Sequence, residues 1–258
     1  MLSISEIEKY YPENQKPFKR NLLREFLQYK ILFFLFDSKN ASKLSFIGGS
    51  ALKILYGNNR FSEDLDFDNF QLTESQFAKL SEVVKNGLEA EGYSVEINIV
   101  YKKAFRCNIK FPKLLFNEGL SGYISEKILI QLDTDMLGFD YKPERKIINK
   151  FDIFTEIFVT PLDILLSQKI YSALNRKTHK GRDFFDIVFL KSLTKPNYDY
   201  LKFKLDIDNP FELKQRLMDE CSKINFKTLA NDLRPFLING NDIKKIELFE
   251  EYIRTVEF

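Results

Sequence analysis

An α+β fold is what this chain predicts: helices packed on a mixed sheet through residues 1–150, then a mainly helical region over residues 151–258. Three observations carry the prediction. Between residues 44 and 135, short runs rich in β-branched and aromatic residues alternate with a longer stretch of helical periodicity. A Gly-Gly-Ser turn joins the first apolar run to a helical segment. Beyond residue 160 the strand signal gives way to helical spacing with cap residues.

Residues 1–40 read as helical, broken by Pro12 and Pro17, with apolar residues near helical spacing over 21–36. Residues 44–47 form a short strand. A helix over 50–56 starts at the glycine turn and is closed by Gly57-Asn58-Asn59. Leu65-Asp66-Phe67 is a strand. Residues 73–89 form a helix, because Thr73 offers an N-cap, Gln76 stands three residues on, and Gly92 lies just past the end. Residues 95–100, 105–111 and 128–132 are strands, the last ending in Asp133-Thr134-Asp135. A helix spans 161–176, with Thr160 as N-cap and Pro161 at its first position. A basic loop covers 176–182, a second helix 182–191, and a loop 195–198. A domain boundary is expected between residues 145 and 160.

A chain of 258 residues with 44% hydrophobic content can bury a substantial core in one or two domains. Lys plus Arg is 39 and Asp plus Glu is 37, so any basic surface must be local. Cys107 and Cys221 are far apart, form no metal-ligand spacing and read as reduced thiols. With His179 as the one histidine, a histidine-rich metal site is excluded, and carboxylate–magnesium chemistry is the option left. The N-terminus is charged and mixed, and the apolar run 31–36 is far too short to cross a bilayer. No membrane association and a cytoplasmic location are therefore expected.

The stretch Phe46-Ile47-Gly48-Gly49-Ser50, followed by Arg60-Phe61-Ser62-Glu63-Asp64-Leu65-Asp66-Phe67-Asp68, carries the chemistry. Alternate residues of a strand point to one face, so Asp64 and Asp66 converge beside the glycine turn. Two carboxylates aimed at one point repel, and a divalent cation relieves that repulsion. The turn, at a helix N-terminus, offers backbone N–H groups to phosphate oxygens. Gly49 permits close approach, and Ser50 adds a hydroxyl. Leu65 and Phe67 alternate with the carboxylates as core residues, and Asp68 is expected at the surface. The site therefore suits a nucleoside triphosphate with a hard cation.

Gly-Gly-Ser, thirteen residues, then Asp64-x-Asp66 resembles the signature of the DNA polymerase β-like nucleotidyltransferase superfamily. The fuller string Gly49-Ser50-Ala51-Leu52-Lys53, then Arg60-x-Ser62-x-Asp64-Leu65-Asp66-Phe67, resembles one branch more closely: the AbiEii-type nucleotidyltransferases, toxin components of phage-defence and toxin–antitoxin systems. Gln168-Lys169, Arg176 and Gly181-Arg182-Asp183-Phe184-Phe185-Asp186-Ile187 continue the match, which covers roughly residues 40–195.

The resemblance implies a nucleotidyltransferase-like mixed sheet flanked by helices, and transfer of a nucleoside monophosphate from an NTP to RNA, at the tRNA 3′ end, with growth arrest as the outcome. Two Mg2+ ions would be held by Asp64, Asp66 and a third carboxylate, Asp133, with Asp135 as the alternative. Gly49, Ser50, Lys169 and Arg176 would hold the triphosphate, Lys169 as a point charge on phosphate. Lys169 and Arg176, seven residues apart, share a helix face. Asp186 would orient one of them or complete the centre, and Asp183 suits the positive end of its helix. Residues 1–150 would be the catalytic domain, with residues 151–258 contributing Lys169 and Asp186. The loop 176–182, with four cations, fits a phosphate or RNA backbone. An antitoxin is an expected partner. A non-catalytic nucleotide- or RNA-binding module stands as the alternative, as does transfer to a small molecule or a protein.

Overall fold

The computed structural model describes residues 2–102 and 104–258, and its chain divides into two compact units. The first comprises Met1–Tyr56, Phe61–Gly138 and Lys142–Val159. The second comprises Gly57–Arg60, Phe139–Tyr141 and Thr160–Phe258.

The first unit is built on a seven-stranded mixed sheet in the order β3-β4-β5-β2-β1-β7-β6. Its elements run α1 (Ile4–Ile7), α2 (Lys19–Phe36), β1 (Leu44–Ile47), α3 (Gly48–Tyr56), β2 (Leu65–Asn69), α4 (Glu74–Ala90), β3 (Glu96–Tyr101), β4 (Phe105–Phe111), α5 (Leu114–Asn117), β5 (Ile128–Asp135), β6 (Glu144–Lys150) and β7 (Ile153–Val159). β2 runs antiparallel to β1 and parallel to β5. One sheet face carries Phe46, Leu65, Phe67, Cys107, Ile109, Ile130 and Leu132, all buried, beneath α2 and α4. Burying a side chain of this size contributes about 1.5–3 kcal/mol each. The Phe46 and Phe67 rings pack 5.3 Å apart across neighbouring strands. α4 begins at the capping box expected from the sequence: Thr73 Oγ1 accepts from the Gln76 amide, and Gln76 Oε1 accepts from the Thr73 amide.

Four local expectations need correction. β5 does not stop at Leu132 but runs to Asp135, because β2 continues beside it and pairs Asp66 with Asp133 and Asp68 with Asp135. Asp68 is buried, 3% exposed, rather than at the surface, since strands cover it on both sides. The glycine turn is itself the first turn of α3, which starts at Gly48 instead of Ser50. The β6–β7 hairpin has no counterpart among the expected strands. It turns at Phe151, whose φ of 61° is left-handed and whose ring packs on Tyr10, Tyr11, Phe26 and Tyr29. Those contacts supply what a glycine would otherwise provide.

The second unit is helical: α6 (Leu162–Asn175), α7 (Gly181–Lys191), α8 (Tyr198–Leu205), α9 (Pro210–Cys221), α10 (Phe226–Leu233), α11 (Lys244–Glu247) and α12 (Phe249–Thr255). Asn197, Asn209 and Asn225 each cap a helix by accepting from the amide three residues on. α6 departs from expectation. Pro161, with an extended ψ of 146°, occupies the N-cap itself, and the Thr160 hydroxyl pairs with Tyr141 Oη at 2.6 Å. The segment Gly57–Arg60 belongs here because Arg60 bridges Leu237 and the Ile238 amide donates to the Asn59 carbonyl. Among the described residues, no helix is long and apolar enough to cross a membrane.

Candidate active site

In the first unit, register alone sets the carboxylates side by side. Asp66 lies opposite Ile47 on β1 and beside Asp133 on β5, all on the polar face of the sheet. Asp64 stands two residues before Asp66, where the chain enters β2, and both are half-buried. Gly48 follows Ile47 directly, so the start of α3 meets the Asp66 side chain. Gly48 has a φ of 78°, and a Cβ there would lie 2.4 Å from Asp66 Oδ2. The glycine is required both by its left-handed backbone and by the carboxylate seated against it. The positive end of the helix dipole favours a negative charge at this position.

Ser50 is 1% exposed, with its hydroxyl donating to the Asp64 carbonyl at 2.5 Å. Gln28 Nε2 approaches the same hydroxyl at 3.3 Å and donates to the Ser62 carbonyl at 3.0 Å. Ser50 thus ties α3 to the backbone that carries Asp64. Gly49, buried beside it, is the second residue of the helix.

Asp133 is engaged on both oxygens. Arg106, its register partner on β4, donates through Nε at 2.7 Å and through a terminal nitrogen at 3.0 Å, and Gln131 donates at 2.7 Å. The hydrogen bonds and charge of Asp133, then the charges of Asp64 and Asp66, hold the Arg106 guanidinium above its ordinary value. One guanidinium therefore stands within electrostatic reach of three carboxylates. Asp135, on the same strand face as Asp133, is exposed.

Among the described residues, no group of three or more His, Cys, Asp and Glu is arranged as a metal cage. Mg2+ does not require one: it commonly takes one or two carboxylates and completes its shell with water and substrate phosphates. Asp64 and Asp66 are hard oxygen donors, and the missing Cβ of Gly48 leaves room for the Asp66 carboxylate against the helix start. The donor set fits that ion.

In the second unit, Lys169 on α6 meets Asp186 at 2.9 Å and Asp183 at 3.6 Å, both on α7, and Arg176 Nε lies 3.1 Å from Asp183. Asp183 and Asp186 thus share the α7 face that meets Lys169, whereas Arg176, expected on the helix face of Lys169, lies past the end of α6 as its C-cap with an extended ψ of 134°. The carboxylate oxygens of Asp183 accept no hydrogen bond of good geometry among the described residues, so its ties to both cations are ionic. Its place in the first turn of α7 adds the favourable dipole.

Asp186 has partners that sequence spacing does not reveal. Arg60 donates to it at 2.7 and 2.6 Å, and Asn58 at 2.8 Å, with Asp186 fully buried and Arg60 nearly so. Burial pushes the Asp186 carboxyl up, but the charges of Arg60 and Lys169 outweigh it and hold the group down at about 2. Arg60 does stand in the motif ahead of Asp64, and that position was its available signal. Arg106 carried none beyond its place in a strand. The thiols of Cys107 and Cys221 are free and buried, and burial pushes them up to about 11 and about 12.

Two solved structures resemble this one over most of their length. JHP933 from Helicobacter pylori superposes with a TM-score of 0.56 at 18% identity, covering 91% of each chain. A candidate nucleotidyltransferase from H. pylori gives a TM-score of 0.58 at 19% identity, covering 91% of this chain and 94% of that one. At such identities the likeness shows a shared fold. No curated protein matches the sequence. The model of the AbiEii nucleotidyl transferase toxin of type IV toxin–antitoxin systems matches residues 30–251. That span contains the Gly48–Asp66 corner, the Asp133 strand and the Lys169–Asp186 cluster, and the chain belongs to the AbiEii nucleotidyltransferase toxin family.

Proposed function

We propose that this toxin-family nucleotidyltransferase moves a nucleoside monophosphate from an NTP to RNA, at the 3′ end of tRNA, and arrests growth or defends against phage by doing so. The observation that carries the proposal is the Asp64-x-Asp66 pair seated at the N-terminus of α3, with Gly48 giving Asp66 its room. Clustered carboxylates at a helix start suit a triphosphate bound through a cation.

In this reading the acceptor hydroxyl oxygen bonds to the α-phosphorus, the bond from that phosphorus to the oxygen bridging to the β-phosphorus breaks, and pyrophosphate leaves. The hydroxyl proton passes to one of the carboxylates. Asp64 and Asp66 would hold Mg2+, with Asp133 as the third carboxylate once Arg106 yields it. The bound ion would neutralise triphosphate charge and lower the pKa of the attacking hydroxyl. Ser50 fixes Asp64 through its backbone carbonyl. Lys169 is the phosphate-binding cation of the second unit, and Asp183 and Asp186 act through it as positioning residues. An antitoxin is the expected protein partner.

The test is incubation of the purified chain with each α-labelled NTP, Mg2+ and total tRNA. Label moving onto RNA from one NTP supports the reading and names the donor. NTP bound in the presence of Mg2+ but never converted to pyrophosphate overturns it in favour of a binding module.

A further inference from the structure

A cleft of about 480 Å3 lies in the second unit, where the loop before α7 meets the corner between α9 and α10. Lys177 and Lys180 line it from the loop, and Lys223, Asn225 and Thr228 from the corner, while Ile224 and Leu229 add apolar surface. Three lysines against one lining carboxylate, Asp232, make it a cation-rich concavity on a chain whose net charge is only +2. Asp232 is 3.7 Å from Lys180, and Lys223 reaches Glu220 at 2.9 Å. Among the described residues no ion pair engages Lys177, which is exposed.

The walls are held in place. His179 meets Glu220 through Nε2 at 3.0 Å and packs its ring on Phe184. A Cβ on Gly181 would lie 2.3 Å from the Leu229 carbonyl, so the start of α7 is pressed onto α10. Lys180, the N-cap of α7, gives that helix no side-chain cap, whereas Asn225, the N-cap of α10, accepts from the Thr228 amide. Two helix N-termini therefore border the cleft beside the three lysines. Backbone amides, ammonium groups and the positive ends of helix dipoles all select an anion, and phosphate above others. The volume lies in the range of small-ligand pockets, enough for about one nucleotide, with Ile224 and Leu229 available to a base.

We infer that this cleft binds a phosphate-bearing nucleotide unit of an RNA strand, giving the second unit an RNA contact of its own. The choice of RNA rests on the proposed acceptor, whereas the phosphate chemistry does not. Free nucleotides share that chemistry, and the experiment separates the two sources.

The measurement is anisotropy of a fluorescein-labelled single-stranded RNA oligonucleotide titrated with the full chain over a series of salt concentrations. The wild type is compared with Lys177→Ala/Lys223→Ala and with a charge-matched control, Lys39→Ala/Lys79→Ala, which removes two exposed lysines of the first unit. The cleft variant should bind about tenfold more weakly, and its salt slope should be shallower by about 1.4, two phosphate contacts on a single strand. The control should match the wild type. An unchanged Kd and slope in the cleft variant, or an equal loss in the control, overturns the inference. AMP displacing the RNA from wild type at micromolar concentration would assign the cleft to free nucleotides and overturn the strand. Because binding is read without turnover, failure of nucleotidyl transfer leaves this result standing, and the converse also holds.

Discussion

Gly48 and Asp66 form a steric pair: the Cβ that Gly48 lacks would fall 2.4 Å from Asp66 Oδ2. The contact joins the glycine turn and the carboxylate strand, which are separate stretches of sequence, into one corner. Gly48→Ala should displace the Asp66 carboxylate and strain a backbone at φ 78°. A misplacement of about 1 Å at a reacting centre costs about 100-fold in rate. We expect a loss of that order in nucleotidyl transfer, with Tm lower by a few degrees. Transfer within twofold of wild type would show that Asp66 tolerates the shift.

Arg106 stands where positive charge is wanted among Asp64, Asp66 and Asp133. In the proposed site it competes with a divalent ion for Asp133. Arg106→Gln should therefore lower the Mg2+ concentration giving half-maximal transfer, and tighten Mn2+ binding read by paramagnetic relaxation. An Mg2+ requirement that rises instead would make Arg106 a support of the bound state.

The buried Arg60–Asp186–Lys169 group predicts both a stability and a pH effect. Removing one partner of a buried pair costs about 3–5 kcal/mol, since the other charge is left uncompensated. Arg60→Ala should show a loss of that size in urea unfolding of the second unit's transition. The charges of Arg60 and Lys169 hold the Asp186 carboxyl down at about 2, below the ordinary aspartate range, so its stabilising contribution is present above about pH 4 and is lost as the pH falls through 2. The stability gap between wild type and Asp186→Asn should accordingly narrow from pH 4 to pH 2. A gap that stays constant would mean the carboxyl is not held in its charged form by these cations.

Cys107 and Cys221 should resist thiol reagents in the native protein, because both are buried and their thiolates are disfavoured. Ellman's reagent at pH 8 should titrate neither thiol until denaturant is added. Rapid labelling in buffer would place at least one of them in a segment that opens readily.

Local patterns made several elements legible in the sequence. β1 and β4 have the expected limits, and the Thr73–Gln76 box starts α4 as read, because each depends on neighbours a few residues apart. Asp64, expected on the strand with Asp66, stands just before β2, and both charges act on Arg106. Helical spacing put Asp183 and Asp186 on one face, and the family match set Asp186 to orient Lys169 or Arg176; the contact of Lys169 with Asp183 was not foreseen, because it joins two helices. What escaped depends on distant partners. Arg60 and Asn58 reach Asp186 across 126 and 128 residues, which no local period records. β5 extends through Asp133 because β2 lies beside it, so a Leu-Asp-Thr-Asp string that reads as a strand end becomes strand. The β6–β7 hairpin was hidden because its turn uses Phe151 instead of glycine or asparagine, with four aromatic rings holding it.

The most direct test of the central claim is pyrophosphate release by Asp66→Asn beside wild type, with Mg2+, the four NTPs and tRNA. The substitution keeps the shape of the side chain against Gly48 and removes its charge, so an unchanged circular dichroism spectrum and Tm would confirm an intact fold. We predict release reduced at least 1,000-fold, about 4 kcal/mol of transition-state stabilisation. Release within a few fold of wild type from a folded variant would contradict the assignment of this corner as the catalytic site.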